Sequence, residues 1–348
     1  MQIFAYDDRK VLPPYIRQVL IYYANYLHLN ISLLGRARPQ KNGFPLFSDG
    51  ICMPPGIGHY RSSVDIAACE NLLELFGQRF VNYSTNEYQF ERACFDRWFV
   101  LNAATKELHY NEHICLLDSD FLLALAPEVL YQYCVSQSFH SDLDFISDWK
   151  SVPDGKPPFV MPSVTIIRKN LLQNLCDFIF FEYFSLANSH SLIAEYYVHI
   201  SNGRLGGICD MRALGCWLQS SNCKIFNVSE LDCCAMRAAN NVNALAQLYD
   251  LSNSWHVEIG SGKITLNHGS DSINLLGVHF QGGSKYLLEK LDFSSTACQP
   301  SILQDFCIKA NLRSRRAGFL VWGWLSNKPI AWLKRISQKT LNIYHRYL

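Results

Sequence analysis

The sequence predicts a layered α/β domain. Short apolar runs typical of buried strands alternate with longer segments that have the periodicity of amphipathic helices. Two of the runs, residues 3–6 and 114–117, are followed by acidic residues, and ligands of open α/β sheets bind at the carboxyl ends of strands. The 348 residues, 49% of them hydrophobic and 18% charged, suffice for one large domain or two small ones.

Each element follows from local pattern. The strand at 3–6 precedes a helix that begins at Pro13, since proline suits the first turn, and that runs to about Asn25. Segment 36–59 is rich in Gly and Pro, and its length favours a functional loop over a tight connection. The remaining predictions are strands at 31–34, 80–83, 114–117, 145–147 and 163–167, and helices at 62–76, 87–102, from near Pro127, 170–186 and 191–199.

The composition argues against several classes of protein. A net charge of +1 gives no bulk attraction for nucleic acid, so no nucleic-acid partner is expected. The 13 cysteines are scattered and include no Cys-x-x-Cys pair that would frame a zinc site or redox motif. The first residues lack the form of a signal peptide, and no apolar stretch approaches the length of a spanning helix. We therefore expect a cytoplasmic protein with reduced thiols.

The C-terminal residues 296–348 differ from the rest of the chain and are expected to form a helical tail. From Arg313 onwards Trp, Leu and Phe are interleaved with Lys and Arg, and no acidic residue follows Asp305. This composition is typical of a helix that lies on an anionic membrane surface. Residues 313–348 therefore indicate a peripheral position at the inner face of a membrane. The alternative is a tail that packs its aromatic side chains on the main domain.

Asp118 and Asp120, which follow the buried run 114–117, carry the first sign of chemistry. Two carboxylates at the end of a buried strand are costly unless a cation holds them. Mn²⁺ or Mg²⁺ fits, because these ions take oxygen ligands from one or two carboxylates and from substrate phosphates. The pair indicates an enzyme that handles a nucleoside diphosphate, although Asp-x-Asp also occurs in ordinary surface turns.

A second signal lies far downstream, where an apolar run ends in His279 and continues through a Gly pair to Lys285. A neutral imidazole can complete the coordination of a divalent metal. Glycines such as Gly282 let backbone N–H groups approach phosphate oxygens, and a lysine ammonium suits a diphosphate leaving group. Taken alone, the segment is more simply a strand followed by a glycine turn, with His279 as a core residue.

Together the two segments resemble those of the GT-A glycosyltransferases, and most closely the retaining glycogenin and galactosyltransferase-like family. That family carries Asp-x-Asp after a buried strand and His-Phe-x-Gly-x-x-Lys near the end of its catalytic domain. Here the first segment is Asp118-Ser119-Asp120, and the second is His-Phe-Gln-Gly-Gly-Ser-Lys at 279–285. The resemblance covers roughly residues 1–290 and implies a GT-A fold, a mostly parallel central sheet flanked by helices.

The resemblance implies roles for the residues of the two segments. Asp118, Asp120 and His279 would hold the Mn²⁺ or Mg²⁺, with Asp118 also near the ribose of the donor. Lys285 and the backbone around Gly282 would bind the diphosphate.

Residues outside these segments are implied in donor binding as well. Tyr6 and Asp7, at the end of the first strand, would lie against the base and ribose. Basic residues on the helix before the Asp-x-Asp strand often contact the donor in this family. Arg97 is preferred to Arg92 for that contact, and a surface salt bridge with a neighbouring acid is the alternative for both.

Asp210 is the predicted catalytic residue. It follows a glycine-rich turn, so the simpler interpretation is a helix N-cap. Several GT-A enzymes have a carboxylate beside the sugar and the acceptor. In a retaining enzyme it would bind sugar hydroxyls or stabilise an oxocarbenium-like transition state, and in an inverting enzyme it would deprotonate the acceptor.

The sequence thus predicts a metal-dependent glycosyltransferase of the hexosyltransferase type. It would move a sugar from a nucleoside-diphosphate sugar, UDP being favoured, to a glycan or glycolipid in polysaccharide, lipopolysaccharide or glycolipid assembly. The catalytic domain is expected over 1–295, with the nucleotide side in 1–125 and the acceptor side in 126–295.

Two other functions are considered. The first is a non-catalytic GT-A-like binding or scaffold protein at a membrane, which would be expected to have lost at least one of the matching site residues. The second is a phosphatase of the haloacid dehalogenase type, which also has Asp-x-Asp after a buried strand. That type needs Thr or Val two residues after the second acid, where Leu122 stands here.

Overall fold

A computed structural model places one seven-stranded sheet at the centre of the protein. The structure describes residues 1–36, 39–41, 43–54, 56–62, 69–84, 86–109, 111–150, 152, 157–201, 207–231, 236–237, 240–241, 256–260, 263–268, 271–280, 285–291 and 293. Gly282 and the predicted tail at 296–348, including residues 313–348, lie outside the described residues.

The strands and helices are numbered in chain order. The strands are β1 Gln2–Asp7, β2 Ser32–Gly35, β3 Pro39–Lys41, β4 Phe44–Pro45, β5 His59–Ser62, β6 Tyr83–Ser84, β7 His113–Asp118, β8 Phe121–Leu123, β9 Phe145–Lys150, β10 Phe159–Arg168, β11 Gly207–Ile208, β12 Ile225–Asn227, β13 Met236–Arg237, β14 Asn240–Asn241, β15 His256–Gly260, β16 Lys263–His268, β17 Asp271–Leu275 and β18 Gly277–His279. The α-helices are α1 Pro14–Tyr26, α2 Cys69–Arg79, α3 Tyr88–Ala104, α4 Pro127–Gln137, α5 Lys169–Asp177, α6 Leu186–Ser201, α7 Asp210–Ser220 and α8 Lys285–Lys290. A π-helical segment, Phe178–Tyr183, continues α5, and a 3₁₀ turn, Val228–Glu230, follows β12.

The central sheet has the strand order β12-β9-β10-β7-β1-β2-β5. Strand β10 is antiparallel to its neighbours β7 and β9, whereas the other neighbouring strands are parallel. The chain moves outward from β1 through β2 to β5 and then returns to place β7 on the other side of β1. The β1–β7 edge is therefore a topological switch point, where open α/β sheets leave a crevice for ligands. This mostly parallel, GT-A-like sheet flanked by helices confirms the predicted α/β fold, whereas the helical tail that completed the prediction lies outside the described residues.

Both faces of the sheet are buried, and the side chains of β7 show how. Cys115 and Leu117 belong to a core cluster that includes residues of α1, whereas Ile114 and Leu116 belong to a second cluster that includes residues of α3. Successive side chains of a strand point to opposite faces, so a strand covered on both faces has a continuous apolar sequence. The same alternation of side chains determines whether a polar residue at the end of a strand faces the α1 layer or the α3 layer.

The segment that follows the central sheet closes the α1 face. Strands β15, β16 and β17 form an antiparallel unit with β13 at its edge, and β18 pairs with β8. Leu276, Val278 and Phe280 are buried in the cluster that contains α1. The ring of Phe293 lies 5.1 Å from that of Tyr22 on α1. No helix in the described ranges has both the length and the apolar character needed to cross a membrane.

The structure corrects three of the predicted elements. Ser62, where the helix predicted over 62–76 would begin, instead ends β5, which pairs with β2, and the described part of that helix is Cys69–Arg79. The strand predicted over 80–83 is reduced to Tyr83–Ser84, because its partner is the two-residue strand Gly207–Ile208. The helix predicted over 170–186 changes from α to π geometry after Asp177. We have no physical account of that change.

Candidate active site

Polar residues gather where β1 and β7 end side by side. Tyr6 of β1 is paired in register with Asp118 of β7, so the two strands present their carboxyl ends at the same edge. Side-chain alternation directs Asp7 toward the α1 layer and Asp118 toward the α3 layer. The switch point is thus lined by an acid on each side, as the sequence predicts.

Asp118, Asp120 and His279 converge at this edge. One ligand atom from each residue lies within 4.8 Å of those from the other two. The Nε2 atom of His279 is 3.0 Å from Oδ1 of Asp120 and 3.5 Å from Oδ2 of Asp118. Two carboxylates and an imidazole are a donor set that fits Mn²⁺, and also Mg²⁺ when substrate phosphates complete the coordination. The structure therefore brings together the three residues predicted as metal ligands.

The pairing of β8 with β18 produces this convergence. His279 stands opposite Phe121, and the backbone N–H of Phe280 donates to the carbonyl oxygen of Asp120 at 2.9 Å. Gly277 allows the two strands to approach, because a Cβ at that position would lie 2.4 Å from Cζ of Phe121 and 2.7 Å from the carbonyl oxygen of Leu122. The position of the imidazole is thus fixed by backbone pairing.

Protein cations neutralise the two metal-site carboxylates. Nζ of Lys285 lies 2.7 Å from Oδ2 of Asp120, and Nη1 of Arg97 lies 2.7 Å from Oδ1 of Asp118. Lys285 is the first residue of α8, so this short helix brings the ammonium group to the carboxylate of Asp120. The predicted diphosphate-binding lysine therefore lies against a predicted metal ligand, whereas Gly282 falls outside the described residues.

The pKa values show the electrostatic balance. Burial alone would raise the pKa of Asp120, but the hydrogen bond with His279 and the charge of Lys285 hold it below its ordinary value. For Asp118, burial outweighs Arg97 and His279, and its pKa is raised. Burial would lower the pKa of His279, yet the two carboxylates raise it. Asp120 is thus held in the ionised form that a metal ligand requires.

Arg97 links the metal site to Asp210. Its second terminal nitrogen, Nη2, donates to Oδ2 of Asp210, to which Nε1 of Trp98 also donates at 3.3 Å. Asp210 is 2% exposed and is the first residue of α7, where the helix dipole favours a negative charge. Cys209, not Asp210, is the N-cap of that helix, so the simpler interpretation of Asp210 as a cap is wrong.

The two arginines weighed on α3 have different surroundings. Arg92 donates from Nε to Oδ1 of Asp96 at 2.6 Å and also bonds the carbonyl oxygen of Leu73. Asp96 is fully buried, so this pair is a buried ion pair and not the surface salt bridge considered from the sequence. Arg97, by contrast, contacts Asp118 and Asp210.

Tyr6 and Asp7 are both engaged by neighbours. Asp7 is 6% exposed and accepts hydrogen bonds from Arg9 and from the Ser119 hydroxyl, the latter at 3.3 Å. The hydroxyl of Tyr6 donates to Oδ1 of Asp8 at 3.1 Å, and burial raises the pKa of Tyr6 well above its ordinary value. Both residues lie at the switch point, and their contact with a base or ribose stays a prediction.

Several charged residues at this edge escaped the sequence analysis. Arg9 forms an ion pair with Asp7. Arg36 forms ion pairs with both Asp8 and Asp96, and its Nε lies 2.9 Å from Oδ1 of Asp8. Both arginines come just after a strand of the switch-point region, β1 for Arg9 and β2 for Arg36. That position, a basic residue within two residues of a strand end, is the signal that would have identified them.

Comparisons with known proteins return glycosyltransferases among solved structures. No protein-family model matches the sequence, and no curated protein matches it. Mouse xyloside xylosyltransferase 1 is 11% identical, with a TM-score of 0.38 over 68% of this chain and 87% of that one. The galactosyltransferase LgtC, in complex with donor and acceptor sugar analogs, is 11% identical, with a TM-score of 0.40 over 81% of this chain and 88% of that one.

A glycosyltransferase involved in the glycosylation of the major capsid of PBCV-1 is 13% identical, with a TM-score of 0.34 over 83% of this chain and 96% of that one. The predicted resemblance to GT-A glycosyltransferases is confirmed in that such enzymes are among the structural matches.

Proposed function

We propose that the protein is a metal-dependent glycosyltransferase that moves a sugar from a nucleoside-diphosphate sugar to an acceptor hydroxyl. One observation carries the proposal: Asp118, Asp120 and His279 converge at the β1–β7 switch point, with the ammonium of Lys285 on the same carboxylate. A metal site at the ligand crevice of an α/β sheet, beside a lysine, is equipped for a diphosphate.

Several residues of the site would together neutralise the charge of a leaving diphosphate. Asp118, Asp120 and His279 would hold Mn²⁺ or Mg²⁺, which supplies Lewis-acid stabilisation of the diphosphate when bound. The ammonium of Lys285, 2.7 Å from Asp120, would stabilise the negative charge that develops on the diphosphate as the sugar leaves. Arg97 keeps Asp118 oriented, because its guanidinium is 2.7 Å from that carboxylate.

Asp210 is proposed as the carboxylate beside the sugar and the acceptor. It is held by Arg97 and Trp98, so its position is set before substrate arrives. A fixed carboxylate suits the binding of sugar hydroxyls or the stabilisation of a positive anomeric carbon in a retaining reaction. In an inverting reaction the same group would act as the base.

The finer parts of the proposal rest on the sequence. UDP is favoured as the donor nucleotide because residues 279–285 resemble the retaining family described above, and Tyr6 and Asp7 would meet its base and ribose. A catalytic domain over 1–295 and a tail over 296–348 are proposed on the same basis.

The acceptor is proposed to be a glycan or glycolipid at a membrane face, on the composition of residues 313–348. Truncation after Asn311 tests this step. We expect the truncated chain to lose its partition to anionic liposomes, and unchanged partition would contradict membrane binding through the tail.

Thermal unfolding with nucleoside diphosphates tests the main proposal. UDP, GDP, ADP and CDP are each added with and without Mn²⁺ to the wild type, to Asp120→Ala and to Asp177→Ala. Asp177 is an exposed acid on α5, so its variant controls for the removal of one negative charge. We expect one nucleotide to raise the melting temperature only with Mn²⁺, in the wild type and Asp177→Ala but not in Asp120→Ala.

The outcomes separate the two functions considered. Metal-dependent stabilisation by one nucleotide supports a donor site and identifies its base. No shift with any nucleotide, in a protein whose circular dichroism shows it to be folded, would contradict the glycosyltransferase proposal and favour a non-catalytic GT-A-like binding or scaffold protein.

A further inference from the structure

Arg9 stands at the switch point on the wall opposite Arg97. It lies in the connection between β1 and α1, and its Nε donates to Oδ1 of Asp7 at 2.8 Å. Its backbone N–H donates to the same oxygen at 3.1 Å, and Nη2 bonds both Oδ2 of Asp7 and the hydroxyl of Tyr15. The guanidinium is therefore held in a defined orientation.

Arg9 is also the most accessible arginine among those described above at this site. Its side chain is 44% exposed, against 36% for Arg36 and 10% for Arg97. Nε and Nη2 are engaged by Asp7 and Tyr15, so in this orientation the guanidinium would meet an incoming anion through the N–H donors of Nη1. Arg97 is enclosed by the two carboxylates it holds and lacks that access.

Arg9 and Lys285 both lie close to the ring of Tyr15. Cζ of Arg9 lies 5.2 Å from the centre of the Tyr15 ring, and Nζ of Lys285 lies 5.5 Å from the same centre. The ring is 2% exposed, so it is a rigid support for both cations. Two like charges held by one ring repel each other, and in this structure Asp7 and Asp120 neutralise them separately.

We propose that Arg9 is a second protein cation for the diphosphate of the donor, acting together with Lys285, which lies beside the same Tyr15 ring. This inference rests on the proposed function, because it assigns a further residue to the same donor site. A diphosphate between two cations relieves their mutual repulsion and accepts paired hydrogen bonds from the guanidinium.

The contact of Arg9 with Asp7 would also link binding of the diphosphate to binding of the ribose. Both oxygens of the Asp7 carboxylate accept from Arg9, and one also accepts from Ser119. When Arg9 turns to a phosphate, the Asp7 carboxylate is released to accept from a ribose hydroxyl. Binding of the diphosphate and binding of the ribose are thereby coupled through one arginine.

Calorimetric titration of phosphate-truncated ligands tests the proposal. The ligands are the nucleoside diphosphate that stabilises the wild type most, its monophosphate and its nucleoside, each with Mn²⁺ and again with EDTA. The proteins are the wild type, Arg9→Ala, Arg9→Lys and Lys10→Ala. Lys10 is the exposed neighbour of Arg9 and controls for the loss of one positive charge. Circular dichroism and melting temperature verify that each variant is folded.

We expect Arg9→Ala to weaken the diphosphate about tenfold or more, as removal of a charge-assisted contact does, and to leave the nucleoside unchanged or tighter. This loss is expected in the titrations with Mn²⁺, where the diphosphate binds, and Arg9→Lys should retain part of the affinity. Lys10→Ala should bind like the wild type.

Three results would overturn this inference while leaving the proposed function intact. Equal weakening of nucleoside and diphosphate by Arg9→Ala would show that Arg9 acts only through the Asp7 region. Unchanged diphosphate affinity in Arg9→Ala would show that Arg9 does not contact the donor. An equal loss of affinity in Lys10→Ala would show that the effect comes from the net charge of the region and not from Arg9 itself. If the wild type bound no nucleoside diphosphate, the proposed function would fail and this inference with it.

Discussion

Nε2 of His279 lies 3.0 Å from Oδ1 of Asp120, although 159 positions separate the two residues along the chain. Their meeting depends on β18 lying against β8 in one register, with His279 opposite Phe121. The site therefore combines two acids that are neighbours in the sequence with an imidazole that is far away in the sequence and is brought near by the fold. Variants that shift this register should affect the site without touching any of its polar groups.

Gly277→Ala is the sharpest such variant. Its methyl group would meet Phe121 and the carbonyl oxygen of Leu122, so β18 must move away from β8. We expect a loss of stability of about 1–3 kcal/mol, as for other overpacked sites, together with loss of Mn²⁺-dependent stabilisation. Urea unfolding with and without Mn²⁺ measures both.

Gly215→Ala is the matched control for this substitution. A Cβ there would lie 1.7 Å from the carbonyl oxygen of Pro158, at the contact between α7 and β10. It should cost stability but keep the response to Mn²⁺. The same response to Mn²⁺ in both variants would argue against a role for the β8–β18 register.

Arg97→Ala should be strongly destabilising. Arg97 and Asp210 have side chains only 10% and 3% exposed, and removal of the arginine leaves two carboxylates without their main cation. Breaking a buried pair on one side typically costs about 3–5 kcal/mol. Urea unfolding of Arg97→Ala, Asp210→Ala and the double variant gives the coupling energy. Additive single effects would contradict the pairing.

Asp148→Asn tests the cost of a buried carboxylate away from the metal ligands. Asp148 is 3% exposed, and burial raises its pKa to about 6. The folded protein therefore binds this proton more readily than the unfolded chain, so the group disfavours folding above pH 6. As the pH falls through 6 toward 4, protonation removes the penalty.

The amide variant should accordingly be more stable than the wild type at pH 8, by on the order of 2–3 kcal/mol, with the difference closing below about pH 4. Thermal or urea unfolding across pH 4–8 measures it, and Asp177→Asn on the surface of α5 is the control. A difference that does not vary with pH would contradict the raised pKa.

Mn²⁺ should slow hydrogen exchange at two separated places. An ion held by Asp118, Asp120 and His279 would join β7 and β8 to β18, so the amides of residues 120–123 and 277–280 should gain protection. The pairing of β2 with β5, at the far edge of the sheet, should not respond. Mass spectrometry of exchange with Mn²⁺ or EDTA gives the comparison, and uniform or absent protection would contradict the site.

The residues that the sequence analysis identified have local signals. The apolar run 114–117 predicts β7 because it is buried on both faces, and the acids after it predict the metal pair. His279 and Lys285 share one short segment, and their assignment to the site rests on the resemblance of that segment to the family motif His-Phe-x-Gly-x-x-Lys. Arg97 could be preferred to Arg92 only through a resemblance, since the sequence does not show which face of α3 meets β7.

What escaped the sequence analysis is defined by distant partners. Strand β6 is two residues long and exists because Gly207–Ile208 pairs with it. Strand β5 lies where helical periodicity begins, and its pairing with β2 determines its conformation. The role proposed for Arg9 depends on Tyr15, whose ring lies on α1 beside Lys285. Such pairings are set by tertiary contacts, which override local preference.

The strand order has a consequence for the timing of synthesis. Every strand of the seven-stranded sheet lies between Gln2 and Asn227, whereas His279 and Lys285 come later. A nascent chain can complete the backbone pairing of its sheet while the imidazole and ammonium groups are still inside the ribosome. The negative charges of Asp118 and Asp120 would then be only partly neutralised until β18 and α8 emerge. Competence for metal would then be acquired only after the central sheet has formed.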